Sequence, residues 1–272
     1  MSSALPGLSN AEREWKRYTP EQRILRFGFY FICVAAVVWS VRTLEIIPEF
    51  LYDAPAQLKD FFTRMWPMDT AYYPKSVHKA LIETLNIATL GTLMCLAFAV
   101  PVGIMSARNL VPFWPINLVA KFILVASRSV NTLVWALLFI GIFGPGALAG
   151  TMAIAFRSIG FVGKLFGESL EESHKGPVEA LTATGASKAS IFLKGYWPQV
   201  KPAFWSIALF RWDINVRESA VLGLVGAGGI GMAMDTAMNL FRWDQVAVVL
   251  TAVFVVVIAA EIAVTVIRKR LI

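Results

Sequence analysis

Charge is scarce in this chain. Only 16% of its 272 residues are Asp, Glu, Lys or Arg, while 57% are hydrophobic, an apolar share above that of an average soluble domain. That balance excludes an ordinary soluble globular protein and points to one that crosses the membrane several times. Cysteine is almost missing: Cys33 and Cys95 each sit inside an apolar run, so no disulfide framework is implied and both read as small buried hydrophobes. Of the two histidines, His78 has no second ligand nearby in sequence, and His174 lies in a polar loop away from any obvious serine-and-acid arrangement. No metal site follows, and no nucleophile–base arrangement for an intramembrane hydrolase is visible. Nor is there a G-x-x-x-x-G-K-[ST] phosphate-binding loop, so any use of ATP belongs to another chain.

What is present is a set of apolar segments with polar punctuation. Residues 1–26 form a mixed-charge tail, and 27–43 read as a first transmembrane helix with no small-residue cleavage site behind it. Residues 44–83 form a polar loop. In it Leu51, Ala54, Leu58, Phe61, Phe62 and Met65 recur at helical spacing around Lys59, Asp60 and Arg64, as an amphipathic helix lying on the outer membrane surface would have them. A second span runs from Thr84 to Ala107. Pro112 and Pro115 then break the chain before a segment that starts along the interface, at Ile116–Ala126, and turns in at Leu133–Phe143. After the Gly144-Pro145-Gly146 turn, further spans occupy Ala147–Phe166, Ala203–Leu224 and Val246–Ile267. The expected fold is an all-α integral membrane protein with six transmembrane helices.

The net charge of +7 raises the question of nucleic acid, but its distribution fits membrane orientation instead. Sixteen Lys and Arg lie in the segments on the side of the termini and five on the opposite side, which places both termini in the cytoplasm. Several arginines are unusual in where they fall. Arg128, Arg157, Arg211 and Arg217, with Asp213 and Glu218, fall within or at the edge of apolar spans, where an unpaired charge costs about 3 kcal/mol. On one helix Arg211, Asn215 and Glu218 share a face, and Asp213 and Arg217 share the opposite one. Such a helix must be enclosed by others, or broken near Asn215, or both. The Asp213–Arg217 pair can be purely structural, or the arginines can line an anion path, since guanidinium offers a planar fork of donors.

The polar interval 176–202 lies between two apolar segments. Glu179 to Thr184 can form a short helix, Gly185 can take positive φ, and Ser187 can cap a second helix that Pro198 limits. This helix-turn-helix resembles the cytoplasmic coupling loop of permeases in ATP-binding-cassette importers. Glu179, Ala180 and Gly185 match that signature, and Leu181 departs from its second alanine. Farther on, Gly226, Gly228, Gly229 and Gly231 literally contain G-x-G-x-x-G, but without the strand and acidic residue of a dinucleotide site. Such a block suits irregular backbone or close helix contact, as packing or as a gate.

The segments from Arg128 to Phe139 and from Arg211 to Gly231 resemble phosphonate-type importer permeases, the likeness running over about residues 80–267. The resemblance implies a type I importer permease (MetI-like) architecture in the bacterial inner membrane, multi-pass, with residues 84–272 as the permease core. It implies a homodimer with a second permease copy, two ATP-binding subunits that hold ATP and Mg, and a periplasmic or lipid-anchored substrate-binding protein that delivers phosphonate, phosphite or a related oxyanion. This chain itself binds no cofactor on that reading and catalyses nothing. Glu179, Ala180, Gly185 and Ser187 would meet the ATPase, and Arg128, Asn131, Trp135, Arg211, Asn215 and Arg217 would wall the central path. The alternatives are a permease for another solute, such as methionine or a polyanionic metabolite, and an ATP-independent secondary transporter or channel. The latter predicts inverted repeats, and the two halves show no convincing self-similarity.

Overall fold

The computed structural model describes Tyr18, residues 20–44 and residues 48–271. Most of the expected N-terminal tail therefore lies outside the described residues. The chain divides into two compact units, Met1–Lys59 and Asp60–Ile272.

In the first unit, helix α1 spans Pro20–Thr43. It starts earlier than the apolar run at Phe27, because Pro20 suits a first helical turn and Glu21 favourably faces the positive end of the helix dipole. Cys33 is exposed on this helix, so the buried role expected of both cysteines falls to Cys95 alone. Helix α2 covers Pro48–Met65, as the apolar spacing predicted. Its last turn belongs to the second unit and is not free for lipid. Phe61 packs edge-on against Trp243 at 4.9 Å between ring centroids, and Met65 is buried with Ala237, Val246 and Ala247.

The second unit is a helical bundle. Helices α3 (His78–Ser106), α4 (Trp114–Ser129), α5 (Thr132–Phe143) and α6 (Ala147–Glu171) are followed by α7 (Lys175–Ala183), α8 (Lys188–Ile191), α9 (Trp197–Leu222), α10 (Ile230–Asn239) and α11 (Trp243–Leu271). Among the described residues, five helical stretches are long and apolar enough to cross a membrane. The α4–α5 pair, bent by 94°, makes a sixth if taken as one span. The second span begins before Thr84, because a π-helical turn at Tyr73–Val77 runs directly into α3. Thus residues 73–83, expected to belong to a loop, continue the span.

Small residues let the bundle close. Gly91, Cys95, Ala99 and Gly103 recur every four residues on α3 and meet α6, where a Cβ on Gly103 would come within 2.9 Å of the Gly163 carbonyl oxygen. In a bilayer, where lipid tails are as apolar as leucine, such close backbone approach is what holds helices together. Cys95 fills this seam with Ala99 and Val162.

Helix α9 is enclosed rather than broken. It runs unbroken past Asn215 to Leu222, and Pro198 and Pro202 fall within its first two turns. Pro198 suits the first turn of a helix, while Pro202 lies inside α9, where the missing N–H removes one helical hydrogen bond without ending the helix. Pro198 therefore does not end the second hairpin helix as expected. α8 instead passes through a π-helical turn, Phe192–Tyr196, straight into α9.

Candidate functional site

Arg211, Asn215 and Glu218 share one face of α9, as the helical spacing required, and that face meets α6, α5 and α3. Glu218 accepts hydrogen bonds from Arg157 Nη1 of α6 at 2.8 Å, from Arg211 Nη2 at 3.3 Å and from the Thr132 hydroxyl of α5 at 2.7 Å. Arg211 Nε donates to Ser158 Oγ at 2.8 Å; Ser158 in turn donates to Asn215 Oδ1 at 3.2 Å. Asn215 Nδ2 donates to Thr92 Oγ1 of α3 at 2.8 Å, and Thr92 passes its own proton to the Ala88 carbonyl. One polar network thus ties four helices inside an apolar bundle. Each member lowers the cost of burying the next, because a half-satisfied buried network is worse than none.

The network sorts the sequence candidates by depth. Arg211 and Asn215 are 3% and 0% exposed and are bonded within the protomer, so they stand behind any wall rather than on it. Arg157 and Glu218, at 27% and 22% side-chain exposure, reach its surface. Arg128 and Asn131 are exposed at the α4–α5 bend, and Trp135 is half-buried. Asn131 caps α5, its side-chain oxygen accepting from the Leu133 N–H at 3.0 Å, which is why the helix restarts there. The Arg128 stem lies beside Gly160, close enough that a Cβ there would meet Arg128 Cβ at 3.1 Å. Gly160 is one turn after Arg157 on α6. On the other face of α9, Arg217 pairs with the buried Asp213, and Arg217 is itself half exposed.

Five network members, Thr92, Thr132, Arg157, Ser158 and Glu218, were not among the site candidates. Arg157 and Glu218 were visible as charges in apolar spans. Ser158 stood beside one of those charges. Thr92 and Thr132 gave no signal, because a threonine among small apolar residues is ordinary in a membrane helix.

The glycine block folds as a compact irregular turn between α9 and α10. Gly228 holds φ +84°, and a Cβ there would meet Ala147 N at 2.7 Å and Glu83 Oε1 at 2.8 Å. The turn is held at both ends: the Gly146 N–H donates to Gly226 O at 2.9 Å, and the Ile230 N–H to Thr84 Oγ1 at 2.7 Å. An added Cβ would be crowded at Gly228, Gly229 and Gly231, while at Gly226 it would meet nothing closer than Pro145 Cβ at 3.8 Å and the φ of +86° is the constraint.

The hairpin α7–α8 is exposed, with Glu179 and Ala180 open to solvent. Gly185 takes φ +72° as its position required. Ser187 caps α8, its hydroxyl accepting from the Ser190 N–H at 3.3 Å. Val178 and Leu181 pack over Gly195, joining a core that includes Phe166, Leu170, Tyr196 and Phe204. Gln199 fastens the hairpin's entry, accepting from the His174 N–H at 2.9 Å.

Residues 99–272 match the family described as binding-protein-dependent transport system inner membrane component. The chain is 35% identical over 254 residues to the putative phosphite transport system permease protein HtxC of Stutzerimonas stutzeri, covering 93% of this chain and 88% of that one. It is 33% identical over 254 residues to the phosphate-import permease protein PhnE of Mycolicibacterium smegmatis, covering 92% of this chain and 47% of that one. Among solved structures, an inward-facing form of the MetNI methionine ABC transporter aligns with a TM-score of 0.64 at 20% identity, over 72% of this chain and 96% of that one. At that identity the likeness concerns the fold.

Proposed function

Since the chain belongs to the family of binding-protein-dependent transport system inner membrane components, we propose that it is the permease of an importer that brings phosphite, phosphonate or a related phosphorus oxyanion into the cytoplasm. The observation that carries the choice of cargo is the charge on the α6–α9 seam, where two guanidiniums, Arg157 and Arg211, share the single carboxylate of Glu218. The seam keeps a net positive charge inside an apolar bundle, and such an excess is costly unless an anion visits it. The similarity to permeases named for phosphite and phosphate transport supports the same class.

In this reading the chain is a transport subunit and ATP is hydrolysed, with Mg, by two partner ATPase subunits. Glu179, Ala180, Gly185 and Ser187 present the hairpin to those partners. Because α8 continues into α9, movement of the hairpin reaches Arg211 and Glu218 along one unbroken rod. The excess of Lys and Arg puts the hairpin and both termini in the cytoplasm, with residues 44–72 outside and the free part of α2 against lipid. Two copies of the chain enclose the path. Arg128, Asn131 and Trp135 belong to its wall, with Arg217 at its edge and Arg211 and Asn215 as rigid backing. The glycine turn gates the outer end, where a substrate-binding protein delivers the anion.

The test is to purify the tagged chain from its native membrane in mild detergent, identify what accompanies it, and assay ATP hydrolysis with the binding protein and candidate solutes. One ATP-binding subunit per permease, with hydrolysis stimulated by phosphite or a phosphonate but not by methionine, is the expected result. A chain that comes out alone and transports in liposomes without ATP overturns the assignment.

A further inference from the structure

Two buried donors on the α5–α6 seam have no acceptor among the described residues: Arg157 Nε and Trp135 Nε1. Both groups can only donate, and a buried donor left unmet is costly. They belong to one neighbourhood. Trp135 lies one turn along α5 from Thr132, which bonds Glu218, and its ring centroid is 4.5 Å from that of Phe156, the residue before Arg157. Glu218 engages Arg157 through Nη1 alone, leaving the Nε edge of the guanidinium without a partner.

We propose that this seam is the oxyanion-binding site of the permease, in which the Nε edge of Arg157 and the indole N–H of Trp135 are the specificity-determining donors and Glu218 is a positioning residue. The proposal rests on the permease reading above and says where in the chain the cargo is held. What the seam lacks is acceptors, and a tetrahedral phosphorus oxyanion supplies three oxygens on one small centre. The edge of a guanidinium takes two of these side by side, and an indole N–H can take a third. Glu218 fixes the far end of Arg157 and, with Thr132, holds α5 against α9. A neutral or zwitterionic solute would leave the net positive charge unmet, which turns the site against it.

The experiment uses the transporter with its ATPase subunits in lipid nanodiscs, without the binding protein, and reads the ³¹P linewidth of inorganic phosphite. The wild type broadens the signal. Arg157→Lys keeps the charge but loses the Nε edge, and weakens binding about tenfold. Trp135→Phe removes the N–H together with the five-membered ring, keeps an aromatic side chain, and weakens binding about fivefold. Because the second change leaves Arg157 and its ion pair in place and adds no polar group, it serves if the first variant fails to fold. Wild-type affinity in Trp135→Phe, or in a folded Arg157→Lys, overturns the site. So does absence of broadening in a wild-type complex whose ATPase still responds to phosphite with the binding protein added. If phosphite fails even to stimulate that complete complex, the oxyanion reading itself falls, and this site with it.

Discussion

Thr132, the first residue of α5, donates a 2.7 Å hydrogen bond to Glu218 of α9, a residue 86 positions away. The contact sits immediately after the 94° bend between α4 and α5, so it decides where the bent span is tied to the rod that leads to the hairpin. Thr132→Val keeps the shape and removes the donor. A hydrogen bond to a charged group contributes about 1.5–3 kcal/mol, and the detergent-purified variant is expected to melt earlier by a corresponding amount. Thr132→Ser should recover most of the loss. Equal melting of the valine and wild-type proteins would show that the tie does not bear on stability.

Ser158 is the hinge of the buried network, accepting from Arg211 and donating to Asn215. Ser158→Ala strips the acceptor from a guanidinium nitrogen that has no route to water, at a cost of about 1–3 kcal/mol. Transport should fall along with stability, since Arg211 also anchors Glu218. Ser158→Cys, with a weaker acceptor, is expected to lie between the two, measured by thermal unfolding and uptake together.

The two glycines Gly228 and Gly141 make opposite predictions. A methyl on Gly228 meets Ala147 N at 2.7 Å with φ at +84°, while nothing lies within 4 Å of a methyl on the helical Gly141. Gly228→Ala should therefore reduce folded protein in the membrane. Gly141→Ala should be neutral or stabilising by up to about 1 kcal/mol. Fluorescence-detected size exclusion of the two variants from membranes distinguishes these outcomes, and similar profiles would contradict the packing seen at the turn.

At Gly185 the constraint is conformational, because φ is +72° and no atom lies within 4 Å of an added Cβ. A β-branched residue there costs about 1–2 kcal/mol of backbone strain, whereas asparagine tolerates the left-handed region. Gly185→Val should distort the hairpin and weaken recovery of the ATPase subunit while leaving membrane insertion intact; Gly185→Asn should retain most of it. Full ATPase recovery and uptake in the valine variant would contradict the role of the hairpin.

Much was legible in the residues taken in order. Apolar run length locates membrane helices because each span must satisfy its own backbone over about 30 Å. Local chemistry is equally readable: Ser187 and Asn131 cap helices through atoms a few residues away, Gly185, with no Cβ, takes positive φ without strain, and Arg211, Asn215 and Glu218 share a face because 3.6 residues make a turn. Even the need to enclose α9 follows from its charges. The partners that enclose it do not. That Glu218 meets Thr132 and Arg157, that Asn215 meets Thr92, and that Arg211 is interior while Arg157 reaches the surface, all depend on how α3, α5 and α6 close around α9. That closure is set by small residues approaching within a few ångströms over long chain separations, and sequence spacing carries no information about such distances.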